Sequence, residues 1–207
     1  MHTISTHPLI QHRLVELRNP ATPPKRFRIL VRELSTFLGY EALRELPTRA
    51  VPAPSPFAVA EGREIAATVV LVPILRAGLG MLDALSGLLP DASVGVLGMQ
   101  RNEKTAEPEP YYAKVPVPAG EESLAILLDP MLATGGSACD AIATLKKLGY
   151  KRILFLCLIS CPEGLSRLEK EHPDVPVWAA AEDDRLNEVK YIVPGIGDAG
   201  DRLFGTL

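Results

Sequence analysis

The sequence predicts an α/β protein built on a parallel sheet, and three observations carry that expectation. Short runs that are apolar on both faces recur from residue 68 onward. Stretches with helical spacing, ten or so residues long, separate them. Loops of glycine and small polar residues follow several of the runs, where sheets of this kind bind their ligands.

The elements follow in order. From Lys25 to Leu46 the apolar positions Phe27, Leu30, Val31, Leu34, Leu38, Ala42 and Leu46 recur at three- and four-residue steps. Thr22 and the Pro23-Pro24 pair stand where a cap and first turn belong, so the spacing predicts an amphipathic helix. The next stretch, PTRAVPAPSP, holds four prolines in ten residues and predicts a stiff connector rather than a regular element. TVVLVPIL is the first strand. AGLGMLDALSGLL follows with helical spacing at Leu79, Leu82, Leu85 and Leu89. SVGVLGM is the second strand and LAILLD the third. SACDAIATLKKLG is a helix ending on Gly149, and RILFLCLI is the fourth strand. PEGLSRLEKEH is a helix with Pro162 in its first turn, and VPVWAAA is the fifth strand.

Composition narrows the function classes. With 207 residues and 47% hydrophobic content, one domain spanning 1–207 can bury a core without disulfides. Cys139, Cys157 and Cys161 form no CxxC pair and have no neighbouring His cluster, which predicts free buried thiols rather than structural zinc. A net charge of −3 without a basic run argues against nucleic acid as the main partner. MHTISTHPLIQHRL lacks the apolar core of a signal peptide, and the longest apolar run, ILFLCLI, is too short to span a bilayer. The expectation is a cytoplasmic protein with no membrane partner.

Three loops carry chemistry. The loop DPMLATGGSA after the third strand leads directly into a helix, so Thr134 to Ser137 would meet the free N–H groups and positive dipole of a helix N-terminus. Gly135 and Gly136 permit close approach, and Thr134 and Ser137 add hydroxyl donors, a combination suited to a phosphate monoester. No GxxxxGK[ST] occurs, so this is not a Walker A loop. Asp129 would repel a phosphate and suits sugar hydroxyls, so phosphate plus polyol suggests a ribose 5-phosphate. The plainer alternative makes Ser137 a simple N-cap and the glycines an ordinary turn. After the first strand, LRAGLGM places Arg76 beside Gly78 and Gly80. After the second, QRNEKTAEPEPYYAKVPVP (100–118) is a long, charged, proline-rich lid candidate, with Arg101 just past the strand end. Two arginines on adjacent strand ends suit a second, more highly charged group.

GIGDAG (195–200) matches GxGxxG literally, but it lies seven residues from the end of the sequence, without room for the helix and strand that a dinucleotide site needs. The glycine-rich segment 191–207 is expected to be a shaped loop rather than a helix. Asp198 and Asp201 within it suit a site carboxylate and a solvated charge, respectively.

LLDPMLATGGSA resembles the phosphoribosyl pyrophosphate (PRPP) motif of type I phosphoribosyltransferases, in the variant of the uracil phosphoribosyltransferases. VPILRAGLGM, QRNEKTAEPEPYY, YIVPGIGDAGDRLFGT, HPLIQHRL and KRFRILVRELSTFLGYEALRELP are similar to the same family's other hallmarks, in the same order and over nearly the whole chain. The resemblance implies a type I fold with an N-terminal helical extension (1–46) and a C-terminal base-binding segment (191–207). The activity it implies is uracil + PRPP → UMP + pyrophosphate, a pyrimidine salvage reaction assisted by Mg²⁺, in a homo-oligomer that is a dimer or higher. It places the ribose 5-phosphate on Asp129, Pro130, Met131, Leu132, Ala133, Thr134, Gly135, Gly136 and Ser137. Arg76 and Arg101 hold the pyrophosphate. Ile192, Gly197, Asp198 and Ala199 hold uracil, with Asp198 also at the PRPP. Most type I enzymes carry two adjacent acids where this chain has Asp129-Pro130, a feature the uracil enzymes share. Gln100 stands where the family carries an aromatic, and Leu207 where a lysine is common. Two alternatives are a pyrimidine-sensing RNA-binding regulator on the same fold, which would want a basic surface, and a phosphoribosyltransferase for another base.

Overall fold

The computed structural model describes residues 1–101 and 108–206, so residues 102–107 of the lid candidate and Leu207 lie outside the described residues. The chain opens with β1 (His2–Ile4), α1 (Pro8–Arg18) and α2 (Pro24–Ala42). The strands β2 (Thr48–Pro54), β3 (Val59–Ile65) and β4 (Val69–Leu75) lead to α3 (Leu79–Leu88). Next come β5 (Ser93–Val94), β6 (Val96–Arg101), β7 (Pro108–Lys114), β8 (Leu124–Leu128) and β9 (Met131–Leu132). The remainder alternates: α4 (Gly136–Lys147), β10 (Arg152–Ser160), α5 (Pro162–Glu171), β11 (Val177–Glu182), β12 (Arg185–Leu186), β13 (Ile192–Val193) and α6 (Ala199–Phe204).

The main sheet runs β1-β11-β10-β8-β4-β6-β7, with β5 against β4 and β9 against β10. Every pair in it is parallel except β6 with β7. Side chains alternate across a strand, so each central strand feeds two cores. Leu71, Ile126, Leu128, Leu154, Leu156 and Leu158 pack with α1, α2, α3 and α6 on one face. Val70, Val72, Ala125, Leu127, Phe155 and Cys157 pack with α4 and α5 on the other. This double burial is why the strands read as continuous apolar runs. The ends of β4 and β8 lie side by side, with Pro73 opposite Leu128, so the loops after them share one edge of the sheet.

Several expectations need correction. PTRAVPAPSP is not a connector: β2 pairs antiparallel with β3 as a separate two-stranded ribbon. Its ladder bonds fall on odd positions, since the Pro47 carbonyl accepts from Ala66 and the Ser55 N–H donates to Ala58. Pro52 and Pro54 take the even positions, where no ladder N–H is required. The extension 1–46 is not wholly helical, because β1 joins the sheet edge beside β11, with His2 opposite Val177. α2 stops at Ala42 rather than Leu46, and the chain then tightens into turns ahead of Pro47. Pro23 is its N-cap, and Thr22 instead donates its hydroxyl to the Glu16 carbonyl at 2.7 Å, closing the end of α1. The second strand breaks at Gly95 into β5 and β6. The segment 191–207 contains a helix after all. Asp198 caps α6 by accepting from the Asp201 N–H at 2.9 Å, and Gly205 ends it at φ 68°.

All three thiols are buried. Cys139 does have a His neighbour: its thiol lies within 4.8 Å of ligand atoms of Glu171 and His172. The ring nitrogens of His172 already face Lys146 Nζ at 3.3 Å and the Cys139 carbonyl at 3.0 Å, and burial pushes the Cys139 thiol up to about 12. No helix of the described residues is long and apolar enough to cross a membrane.

Candidate active site

The loop after β8 begins at Asp129, whose carboxylate accepts from the Met131 N–H at 3.3 Å. Pro130 is buried, and its carbonyl accepts from both Leu158 and Ile159 at 3.0 Å. Met131 and Leu132 form β9 beside Ile159 and Ser160. Leu132 spends its side chain in the core, so only main chain remains there for a ligand. Gly135 then turns at φ 76° and stands as the N-cap of α4 with no side-chain cap; the Gly136 N–H reaches Thr134 Oγ1 at 3.5 Å, and the other first-turn N–H groups suit an anion. Ser137 is therefore inside the helix and is not its N-cap.

The turn after β4 brings Arg76 to the same edge. Gly78 makes this possible: a Cβ there would sit 2.4 Å from the Leu128 carbonyl, so only glycine lets the turn pass the end of β8. The Arg76 guanidinium lies 3.3 Å from Asp201 Oδ1 and 5.6 Å from the centre of the Phe204 ring, and it is more than half exposed. Asp201 is thus a partner of Arg76 rather than a merely solvated charge. A cleft of about 200 Å³ gathers Ile74, Arg76, Met99, Asp129, Ser137 and Asp198, with Gly200 in its wall. Residues from three distant segments, singled out by sequence, therefore meet. The backbone of Arg101 ends β6, the strand next to β4, while its side chain lies outside the described residues. A larger groove of about 780 Å³ lies at the amino ends of the strands, near Ser5, Glu41 and Trp178, and none of the candidate residues line it.

Burial and the nearby negative charge of Asp198 push the Asp129 carboxyl up to about 7, against the pull of the Met131 N–H. Two carboxylates facing one small cleft, with α4's free N–H groups beside them, suit a ligand that brings both cationic or hydroxyl groups and a phosphate.

The segment Gly195 to Ala199, which carries Asp198 into the cleft, is held by residues that the sequence does not single out. Asp183 is almost wholly buried and pairs with both Arg18 guanidinium nitrogens, at 2.6 and 2.7 Å. It also accepts from the Gly195 N–H at 2.7 Å, while Arg18 donates to the Gly195 carbonyl at 3.0 Å. Arg202 donates to the carbonyls of Leu17, Asn19 and Ile196 and lies 4.2 Å over the Phe27 ring. Ile192 and Ala199 are buried, and Gly197 sits at φ 72°. These are contacts between residues up to 185 apart, which no local pattern signals.

Arg18→Ala is expected to destabilise the protein by roughly 3 kcal/mol, because it strands a buried carboxylate. For a domain of this size that is a fall in Tm of roughly 6–12 °C. Thermal unfolding checks it, and a shift below 2 °C would show that Asp183 is adequately held without Arg18.

A mostly parallel sheet with helices on both faces thus carries this loop at the carboxyl end of a central strand, β8. The family model described as "Uracil phosphoribosyltransferase" matches residues 4–206. The chain belongs to the uracil phosphoribosyltransferase family. It is 56% identical over 203 residues to the uracil phosphoribosyltransferase of Roseiflexus sp. (strain RS-1), covering 98% of this chain and 97% of that one. It is 52% identical over 202 residues to that of Campylobacter curvus (strain 525.92), again covering 98% and 97%. Among solved structures it is similar to the AQ2163 protein from Aquifex aeolicus, with a TM-score of 0.93 and 36% identity over 99% of this chain and 98% of that one.

Proposed function

We propose that the protein transfers the 5-phosphoribosyl group of PRPP to uracil, giving UMP and pyrophosphate, at the cleft between Asp129 and Asp198. The observation that carries this reading is the meeting of Arg76, Asp129, Ser137 and Asp198 in one cleft, beside an uncapped helix N-terminus. In the reaction the bond from ribose C1 to the pyrophosphate oxygen breaks, and its electron pair leaves with pyrophosphate. Uracil N1 forms the new bond to C1, and its proton passes to the departing pyrophosphate or to solvent.

Each residue has a place in this scheme. The main chain of Pro130 to Gly136, with Thr134 and Ser137, cradles the 5-phosphate, and Asp129 faces the ribose hydroxyls. Arg76 and Arg101 take the pyrophosphate, and Arg76 exchanges Asp201 for it on binding. Ile192, Gly197, Asp198 and Ala199 receive uracil through a mostly backbone edge. Segment 100–118, part of which is the edge strand β7 rather than irregular chain, is placed as the lid, and 191–207 as the base-binding segment of one domain. Asp129 and Asp198 fit a magnesium site, since two hard carboxylates with substrate oxygens are what that ion takes. When bound with PRPP, the ion would neutralise charge on the departing pyrophosphate.

The protein acts in the cytoplasm, on this reading, as a homo-oligomer of two or more copies. Support for the assembly comes from the β2–β3 ribbon, which carries fully exposed Phe57 with Val59 and Ile65 also exposed. The test of function is direct: uracil and PRPP with Mg²⁺ yield UMP and pyrophosphate in equal amounts. Gly136→Val should abolish binding of PRPP and of UMP alike, because both carry the 5-phosphate. UMP binding that survives in this variant would place the phosphate elsewhere.

The pH dependence has a definite sign. Folding raises the Asp129 pKa from 3.8 to about 7, so the folded state holds this proton more tightly. Its contribution to stability is present below 3.8 and is lost as pH rises toward about 7. Substrate binding needs the carboxylate, so kcat/KM for PRPP should climb with pH and level off above about 7. Asp198→Asn keeps the helix cap and removes the negative neighbour, and it should move that limb to lower pH. Burial is the larger cause, so the decisive variant is Asp129→Asn, whose residual kcat/KM should lose the acid limb; a limb that persists there would assign the titration to another group.

A further inference from the structure

None of Cys161, Glu163 and Gly164 lines the cleft, yet the three touch both of its substrate segments. On one side, Cys161 Sγ donates to the Ala133 carbonyl at 3.2 Å. A Cβ at Gly164 would lie 2.6 Å from the carbonyls of both Leu132 and Ala133, so the loop rests directly on this glycine. The fit is reciprocal, since a Cβ at Gly135 would lie 3.1 Å from the Gly164 carbonyl. On the other side, Glu163 Oε1 accepts from the Leu186 N–H at 2.9 Å. Leu186 pairs with Ile192 across β12 and β13, so this carboxylate holds the hairpin that carries the base-binding edge. Immediately before the turn, the Ser160 carbonyl accepts from the Asp183 N–H at 2.8 Å.

We infer that the first turn of α5 is a common mount for the two substrate segments, with Glu163 a positioning residue for uracil and Cys161 and Gly164 positioning residues for PRPP. The inference rests on the substrate assignment proposed above. The turn sets the separation between the ribose C1 held by one segment and the uracil N1 held by the other. Transfer between bound partners is sensitive to such spacing, since reacting atoms must lie within about 3–3.5 Å. Glu163 acts on one substrate and the flanking Cys161 and Gly164 on the other, which gives a signature that general destabilisation does not produce.

The experiment is steady-state kinetics of the full chain with both substrates varied, alongside UMP binding and Tm. Glu163→Ala should raise KM for uracil about 3- to 10-fold, the scale of one lost hydrogen bond, while KM for PRPP stays within about 2-fold. Glu163→Gln keeps an acceptor oxygen and should restore KM for uracil. Gly164→Ala should raise KM for PRPP and Kd for UMP by about 10-fold or more, because the loop must shift. Cys161→Ala, a gentler change that keeps the fold, should move the same two constants in the same direction, and Cys161→Ser should return them. Equal changes in both KM values for every variant, or unchanged KM values, would overturn the mount while uracil turnover by the parent protein stands. A parent protein that makes no UMP from uracil and PRPP would overturn the substrate assignment and the mount with it.

Discussion

Replacing Arg76 with alanine is expected to lower kcat/KM for PRPP by about 10²–10³-fold, with Tm nearly unchanged. The rate effect follows from the proposed role: a preorganised donor aimed at charge that develops on the leaving pyrophosphate typically contributes that much. The stability effect is small because the guanidinium is more than half exposed and its ion pair to Asp201 is 3.3 Å long. Exposed pairs of this kind contribute little to folding. Asp201 keeps a second partner, the Thr206 hydroxyl at 2.6 Å, so the loss of Arg76 leaves no orphaned carboxylate. Steady-state rates and thermal unfolding of the same preparation separate the two effects. Near-parental kcat/KM would remove Arg76 from the pyrophosphate site.

The second large effect concerns base choice. Uracil presents a donor at N3 and an acceptor at O4, whereas cytosine presents the reverse. The edge proposed to read them, Ile192 with Gly197 to Ala199, is main chain and cannot reorient as a side-chain amide does. Its rigidity has identifiable causes: Asp183 and Arg18 clamp Gly195, Arg202 holds the Ile196 carbonyl, and Ile192 and Ala199 are buried. Cytosine would leave buried polar groups unpaired, so uracil should be preferred by about 10⁴-fold in kcat/KM. A 5-fluoro substituent leaves the N3 and O4 edge intact and should be accepted. Comparable rates for uracil and cytosine would move base recognition away from this segment.

Apart from β7, the antiparallel edge strand whose PEPYYAK carries no apolar run and falls in the expected lid, the main strands and helices from Val69 to Glu182 are legible, because strands buried on both faces and helices ten or more residues long write their period into the sequence. Even there, α3 turns Met81, Ala84 and Leu85 inward and leaves Leu79 exposed, so the leucine spacing located the helix but not its buried stripe. Short elements were lost. β1 has three residues, too few for a pattern, and α6 has six among glycines, although Asp198 and Gly205 are its start and stop signals. The β2–β3 ribbon is hidden because proline reads as a breaker, whereas alternate positions of a two-stranded ribbon tolerate it. For the site, Arg76, Asp129 and Ser137 were legible from their places after strands. Arg18, Asp183 and Arg202 were not, because their roles exist only once the chain has closed on itself.

That closure bears on how the protein comes into being. β1 pairs with β11, and α1 is tied to Asp183, Gly195 and Arg202, so a segment made early meets its partners only after some 160 residues more have been added. Until then, on the ribosome, α1 has no Arg202 to take the carbonyls of Leu17 and Asn19, and the sheet edge at β1 has no neighbour. The loop after β8 can form earlier, since its hydrogen bonds and its close contact at Gly135 reach no further along the chain than Arg167. Assembly is therefore ordered by topology: the loop after β8 can form within the nascent chain, whereas the segment from Ile192 to Ala199 cannot. Long-range closure of this kind slows folding and leaves early helices to wait, partly bare, for the residues that hold them.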